Sequence, residues 1–169
     1  LSLYSRLLPP VGGDTLFVSL AAAYDALSAE MKEKIDGLHC YHRVTTTQNT
    51  KRRHTKEEAE AMEKAPPIVH PLVPLDPGNG RKYLFVNVPI YCRSIVEMQT
   101  PEGDALLRQL YRHVQRPEFN FRLVWTVDTV VVWENSHTLH YPVSDYFPHE
   151  RKLWRGVIQA TEADRPRAA

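Results

Sequence analysis

The sequence predicts a mainly β fold, a sandwich or barrel of antiparallel strands with flanking helices. Three observations carry this prediction: many short apolar or alternating segments, turns rich in proline and glycine between them, and only two or three stretches with helical periodicity. Frequent short strands with few helices are typical of a sandwich or barrel. The 169 residues, of which 43% are hydrophobic, suffice for a single domain with a sizeable core.

The N-terminal part of the chain predicts two strands and then a helix. Residues 1–8 alternate as in a strand, and a turn cluster at residues 9–14 leads to a second strand at residues 15–19. From about Leu20 to Ile35 apolar residues recur every four positions, which predicts one helix that ends before Gly37. Residues 41–67 are polar, charged and end in prolines, so we expect a lid or insert with a helix near residues 56–65.

Strand patterns return after this segment. Apolar runs predict strands at residues 68–73 and 82–86, joined by a hairpin turn at residues 77–80. A helix is predicted from about Glu102 to Val114, with a leucine-rich stripe on its buried face. Strands at about residues 120–125, 129–134 and 151–159 complete the predicted domain.

Charge and composition exclude several classes of protein. The 21 basic and 20 acidic residues give a net charge of +1, so neither a nucleic-acid footprint nor a polybasic membrane surface is indicated. The sequence has no long apolar run and no recognisable leader, and we expect a soluble cytoplasmic protein with no nucleic-acid or membrane partner. Cys40 and Cys92 are expected to be ordinary buried thiols in a reducing compartment. A homo-oligomer is compatible with the sequence, which does not define the oligomeric state.

Two arginines near the C-terminal end are the first candidates for a binding site. Alternation along the last strand places Arg151 and Arg155 on one face, together with apolar residues. A guanidinium on an apolar face is costly unless an anion meets it, so the pattern predicts two anion sites beside His140. The alternative is that both arginines lie at a solvated strand end or form ion pairs with Asp145 and Glu150.

Five segments of the chain together carry a specific signal. They are residues 8–15, residues 69–73, residues 80–87, Trp125 with residues 130–133, and residues 135–140 with the two arginines. Each segment alone is a weak signal, whereas the ordered set, with its eleven-residue step from His140 to Arg151 and four more residues to Arg155, resembles the taurine dioxygenase family of iron(II)- and 2-oxoglutarate-dependent oxygenases. The resemblance extends from Leu1 to about Pro166 and corresponds to the C-terminal two thirds of the family's domain.

The resemblance implies a double-stranded β-helix, or jelly roll, with flanking helices. It also implies an Fe(II) ion held by two histidines and one carboxylate, 2-oxoglutarate as cosubstrate, and O₂ as oxidant. A facial set of three protein ligands leaves room for a bidentate cosubstrate and then for O₂. The chain would thus be a single oxygenase domain over residues 1–169.

The resemblance also implies roles for individual residues. His140 matches the distal iron ligand, and Arg151 and Thr15 match the residues that hold the far carboxylate of 2-oxoglutarate. Arg155 matches the arginine that contacts the anionic group of the substrate in sulfonate-using members. Two further substrate contacts are implied next to each other, because Ile90, beside Tyr91, stands where the taurine enzyme has a substrate-packing phenylalanine.

The family's other two iron ligands form a His-x-Asp or His-x-Glu motif upstream of the segment at residues 8–15. None of the eight histidines of this chain is followed two residues later by Asp or Glu. We expect that the N-terminal part of the domain is missing from this sequence, because a jelly roll without its first strands would leave unpaired edges. The alternative is a relative that has lost its metal.

The functional expectation is hydroxylation of a small anionic organic molecule, such as a sulfonate, a sulfate ester or an aryloxy acid, with release of succinate and CO₂. The alternative is a non-catalytic jelly-roll module that keeps the two arginines to bind an organic acid. Trp125 and Trp133 are expected to belong to the core, and His70 is expected to be structural.

Overall fold

The computed structural model describes residues 1–43, 55–158 and 161, together with the backbone of residues 167–168. Short strands are the commonest elements of the described chain. They are β1 (Ser2–Leu7), β2 (Thr15–Ser19), β3 (His39–His42), β4 (Ile68–Pro71), β5 (Pro74–Leu75), β6 (Cys92–Ile95), β7 (Asn120–Leu123), β8 (Val130–Val132), β9 (Thr138–Pro142), β10 (Lys152–Gly156) and β11 (Arg167–Ala168).

Helices are fewer and flank the sheets. They are α1 (Leu20–Asp25), α2 (Ala29–Ile35), α3 (Lys56–Lys64) and α4 (Pro101–Val114), with one 3₁₀ turn at Pro117–Phe119. The expectation of a mainly β protein with flanking helices is confirmed.

Two three-stranded antiparallel sheets carry the residues singled out by the sequence. One has the order β10-β1-β8, and the other has the order β7-β2-β9. The first strands of the chain are therefore the central strands, and their partners come from beyond residue 119. A third sheet has the order β4-β3-β6, and β5 pairs with β11.

The predicted single helix from Leu20 to Ile35 is wrong, because the structure breaks it into α1 and α2. The Ser28 side chain accepts a hydrogen bond from the Met31 N–H and so begins a new helix at Ala29. Serine at this position satisfies a backbone donor that a continuous helix would bond internally. The four-residue spacing of apolar residues survives the break because both helices bury the same side against the core.

The predicted strand at residues 82–86 is also wrong, although the segment is largely buried. Tyr83, Leu84 and Val86 are almost fully buried. Their backbone N–H groups find scattered partners, for example Leu84 N to Leu20 O at 3.1 Å and Phe85 N to Leu72 O at 2.8 Å. A buried segment must bond its backbone polar groups, and here it does so without a strand ladder.

The main core lies between the third sheet and the helices. Helix α4 buries Leu106, Leu107, Leu110 and Val114, as the sequence predicted, and Tyr111 joins them. The segment at residues 41–67 begins inside β3 and contains α3, which Thr55 caps. Residues 44–54 lie outside the described residues, so the lid stays a prediction.

Within the described part of the chain, the helices are too short or too polar to cross a bilayer.

Candidate active site

The inner face of the β7-β2-β9 sheet carries Thr15, Phe17 and His140. Phe17 on β2 stands opposite His140 on β9, and opposed residues in antiparallel strands share a face. Their ring centroids are 6.4 Å apart, and Trp133 lies 5.1 Å from each of them. His140 therefore stands beside an aromatic wall, at the position that the sequence singled out for a metal ligand.

The pKa of His140 is lowered from its ordinary value. Desolvation of the ring beside Phe17 and Trp133 is the first cause, although the residue as a whole is exposed, and the nearby positive charge of Arg155 is the second. Both disfavour the imidazolium form, so the ring is held neutral near pH 7. Only neutral imidazole has a free lone pair for a metal.

Thr15 is 1% exposed, and its hydroxyl is the meeting point of two distant parts of the chain. Trp125 Nε1 donates a hydrogen bond to Thr15 Oγ1 at 3.0 Å, and Arg151 Nη2 donates another at 3.2 Å. Two donors on one hydroxyl fix its orientation. The structure thereby brings together Thr15 and Arg151, the two residues that the sequence assigned to the cosubstrate.

Arg151 is half-buried and aimed inward. Its guanidinium carbon lies 5.9 Å from the ring centroid of Trp125 and 6.0 Å from that of Tyr146. Its Nε is buried without a hydrogen-bond partner. Burial lowers the pKa of Arg151, and the neighbouring Tyr146 and Asp14 offset this lowering only in part. A guanidinium in this state is suited to an incoming carboxylate.

The acidic residues near Arg151 have other partners. Glu150 pairs with Lys152 at 3.1 Å. Asp145 accepts a hydrogen bond from the Gly13 N–H at 2.8 Å and lies 3.7 Å from Arg122. Among the described residues, therefore, no carboxylate forms an ion pair with Arg151, and the alternative of pairing with Asp145 or Glu150 is not observed.

A turn that contains Gly13 packs against the side chain of Arg151. Gly13 has a φ of +74°, and a Cβ added there would lie 3.0 Å from Arg151 Cδ. Glycine is needed at this position both for the left-handed backbone and for the close approach. The next residue, Asp14, is buried and accepts a hydrogen bond from Arg122 Nε at 2.6 Å, which anchors the turn to β7.

Arg155 lies on the inner face of the other sheet. It stands opposite Leu3 on β1, while Trp154 points to the outer face and is 63% exposed. The alternation predicted for this strand is therefore confirmed, but Arg155 itself is exposed, unlike Arg151. Its charge still acts on His140, whose pKa it lowers.

A cavity near these strands has a volume of about 670 Å³ and includes Tyr91 and His140 in its lining. Leu16, Val18, Leu139 and Tyr141 also line it. These four residues share the face of β2 and β9 that is opposite to Thr15 and Phe17, so the cavity lies mainly against that face and reaches His140 as well.

The predicted substrate contacts are thus not gathered in one place. Tyr91 lines the cavity, whereas Ile90 lies in the preceding turn, 37% exposed and outside the lining. Arg155 is on β10, whereas Ile90 and Tyr91 lie in a turn outside the sheets. The roles of Ile90, Tyr91 and Arg155 stay predictions.

Two residues that contact the Arg151–Thr15 pair were not assigned to the site by the sequence analysis. Trp125 is a core residue, as expected, but it also donates to Thr15 and lies beside Arg151. Tyr146 lies outside the strands, where no periodicity could mark it. The short spacing from Tyr146 to Arg151 was the only signal that could have suggested their contact.

The described residues supply one ligand of the implied iron site. The group of three or more metal-binding side chains that they bring together does not include His140. An Fe(II) centre of this kind needs a second histidine and a carboxylate as well. Arg151 and Thr15, which the resemblance assigned to the cosubstrate, are by contrast both described and in contact.

The family model that matches this chain is that of the taurine catabolism dioxygenases, the TauD, TfdA family, and it covers residues 1–157. The chain belongs to this family. The match starts at the first residue of the chain and includes every site residue discussed above.

The curated and solved relatives named below, which belong to the TauD, TfdA family, are about one third identical to the chain over the aligned residues. The alpha-ketoglutarate-dependent 2,4-dichlorophenoxyacetate dioxygenase of Burkholderia sp. (strain RASC) is 34% identical over 135 residues, which are 79% of this chain and 44% of the relative. The crystal structure of a taurine dioxygenase from Burkholderia xenovorans matches with a TM-score of 0.74 and 32% identity over 98% of this chain and 55% of that one.

A third match is the crystal structure of AAD-2 in complex with Mn(II) and N-oxalylglycine. It has a TM-score of 0.74 and 33% identity, and the alignment covers 90% of this chain and 60% of that one. The chain therefore spans about half the length of the TauD, TfdA family proteins that it matches.

Proposed function

We propose that this chain is part of an Fe(II)- and 2-oxoglutarate-dependent dioxygenase that hydroxylates a small anionic organic substrate. The observation that carries the proposal is the inward-facing Arg151, which is bonded to Thr15, lacks a carboxylate partner among the described residues, and keeps a buried Nε unpaired. A guanidinium left in this state needs an anion.

Arg151 and Thr15 would hold the distal carboxylate of 2-oxoglutarate. The guanidinium offers parallel N–H donors to a planar carboxylate, and the Thr15 hydroxyl adds a third polar contact. Because Trp125, Tyr146 and the Gly13 turn already fix Arg151, little side-chain entropy is lost on binding. This part of the chain orients the cosubstrate.

His140 would contribute one neutral imidazole to the iron. The proposal requires a second histidine and a carboxylate that the described residues do not place beside it. When bound, the iron supplies the oxidation of a substrate C–H bond, coupled to conversion of 2-oxoglutarate and O₂ into succinate and CO₂. Phe17 and Trp133 would exclude water from one side of that centre.

Arg155 would bind the anionic group of the substrate. It lies on the inner face of the β10-β1-β8 sheet, close enough to His140 to lower its pKa. Two relatives named above act on acids, a 2,4-dichlorophenoxyacetate in one case and a sulfonate, taurine, in the other. Sulfonates, sulfate esters and aryloxy acids are therefore the substrate classes to test.

The two sheets β10-β1-β8 and β7-β2-β9 would form the facing layers of a jelly roll. This finer description of the fold is supported by the central positions of β1 and β2 and by inner faces that both carry site residues. Such an arrangement would bring Arg151, His140 and Arg155 to one interior.

Succinate release tests the function. The intact protein, supplied with Fe(II), 2-oxoglutarate and O₂, is screened with alkyl sulfonates, sulfate esters and aryloxy acids. We expect substrate-dependent succinate with at least one anionic class. Binding of 2-oxoglutarate without succinate from any class would instead support a non-catalytic organic-acid module.

A further inference from the structure

A cluster of soft metal donors lies in the third sheet, away from Thr15 and Arg151. Cys40 and His42 lie on β3, and Cys92 begins β6. One donor atom from each of these three side chains lies within 4.8 Å of the others. Both thiols are completely buried, and His42 is half-buried. Two thiols and an imidazole form a ligand set that thiophilic cations prefer.

A β-bulge creates this cluster. Cys40 stands opposite Ile95, and His42 stands opposite Cys92, with a register shift between them. Positions 92 and 95 are three residues apart, so in a regular strand their side chains would point to opposite faces. The one extra residue on β6 shifts the alternation of side chains by one position, so that Cys92 lies on the same face as Cys40 and His42. Bulges commonly re-aim side chains next to functional sites.

His42 supplies a second, independent sign of a ligand. Its Nε2 is buried without a hydrogen-bond partner among the described residues. The ring is stacked on Phe85 with centroids 5.0 Å apart and meets His70 edge-on at 5.2 Å. A buried imidazole nitrogen that is left unpaired costs free energy, which a bound cation would recover.

The thiolate is the form of cysteine that binds metals, so a cation bound by Cys40 and Cys92 would displace the thiol protons.

A disulfide fits this geometry less well. Both cysteines are free thiols, and Cys92 stands opposite His42 rather than Cys40 across the strand pair.

We propose that Cys40, His42 and Cys92 form a binding site for a thiophilic d¹⁰ cation, Zn²⁺ or Cu⁺. Zinc–sulfur bonds of about 2.3 Å place donors about 3.8 Å apart, so donors within 4.8 Å need to approach by up to about 1 Å. Cys40 gives up its contact with the Ser94 carbonyl, 3.1 Å away, in the process.

The site adjoins the wall of the cavity. Tyr111 donates a hydrogen bond to the Cys92 carbonyl oxygen, and Tyr91 is the residue before Cys92. Both tyrosines line the cavity. A cation bound to Cys92 would therefore fix the backbone from which two cavity residues are positioned.

Anaerobic titration of the intact protein with Co²⁺ is the test, because thiolate ligation gives cobalt an intense near-ultraviolet charge-transfer band that histidine and carboxylate ligands do not give. We expect the band to saturate at one equivalent and to disappear when Zn²⁺ or Cu⁺ is added. Cys40→Ser and Cys92→Ser should each abolish it. His42→Ala should weaken Co²⁺ binding by more than about tenfold, since even outer-shell partners are worth about 10–100-fold.

His39→Ala is the matched control. His39 lies on the same strand, but its ring nitrogen pairs with Glu97 at 2.8 Å, so this variant should keep the band. A measurement on unmodified protein complements the variants: Zn²⁺ should protect both thiols from alkylation. No charge-transfer band, no protection, or a disulfide in the protein as isolated would each overturn the proposal.

Discussion

Arg151 Nη2 donates a hydrogen bond to Thr15 Oγ1 at 3.2 Å although the two residues are 136 positions apart in the sequence. The contact joins the start of β2 to the residue before β10, two strands of different sheets. Neither residue is free to reorient, because Trp125 also donates to Thr15 and the Gly13 turn lies against Arg151. The pair is thus held in place before any ligand arrives.

Arg151→Ala should weaken 2-oxoglutarate binding by about 2–5 kcal/mol, the usual loss when one partner of a buried charge pair is removed. Thr15→Ala should cost only about 1 kcal/mol, because it removes a single hydrogen bond. Calorimetry with the intact protein measures both. Arg116→Ala, which breaks a surface ion pair with Glu118, should leave the affinity unchanged. Equal affinities for wild type and Arg151→Ala would show that the cosubstrate binds elsewhere.

Arg155→Ala should separate substrate from cosubstrate. Arg155 lies on the inner face of its sheet, and no described hydrogen bond joins it to Thr15 or Arg151. The binding of 2-oxoglutarate should therefore stay nearly intact. Substrate kcat/KM should fall by orders of magnitude. Arg155→Lys should restore little, since an ammonium does not reproduce the planar fork. Activity confined to uncharged substrates and insensitive to both variants would remove this role from Arg155.

Gly13→Ala should weaken 2-oxoglutarate binding by displacing Arg151. The added Cβ would meet Arg151 Cδ at 3.0 Å, and the left-handed backbone would cost about 1–2 kcal/mol of folding free energy in addition. Gly37→Ala is the matched control, because Gly37 also has a positive φ, +70°, but nothing lies within 4 Å of its added Cβ. Both variants should lower the free energy of unfolding, measured by urea denaturation, and only Gly13→Ala should change the affinity.

Glu97→Gln should reduce the loss of folding stability that accompanies a fall in pH below neutrality. Burial raises the pKa of Glu97, but hydrogen bonds from the His39 backbone and ring outweigh it, and the net pKa is lowered from 4.5. A lowered carboxyl pKa gives stability that is present above pH 4.5 and is lost as the pH falls through the folded-state value. Denaturation midpoints compared from pH 7 down to pH 3 test this. Glu33→Gln on α2 should keep the wild-type slope.

The face on which a strand residue lies could be predicted from the sequence, because successive side chains of a strand point to opposite faces. Alternation in β10 put Arg155 and Trp154 on opposite faces, and the structure confirms it. The break between α1 and α2 could not be read from apolar spacing, because a single hydrogen bond to the Ser28 side chain decides it. The strand β6 was missed because its bulge destroys the period of two on which strand prediction depends.

The residues of the candidate site were likewise predicted only in part. The sequence singled out Thr15 and Arg151 through their resemblance to a cosubstrate-binding pair, and the structure places them in contact. It could not show that Arg151 would be shielded by Tyr146, because that contact depends on the path of a loop. Nor could spacing reveal that the thiols expected to be ordinary, Cys40 and Cys92, converge on His42.

The central positions of β1 and β2 also set the order of events during synthesis. Both strands leave the ribosome well before their partners, since each needs two partners from later in the chain and β10 is made about 150 residues after β1. Until then both of their edges stay open to other chains. Contacts this distant in sequence slow folding. Yield of soluble protein should therefore depend on translation speed and on chaperones more strongly than the final stability would suggest.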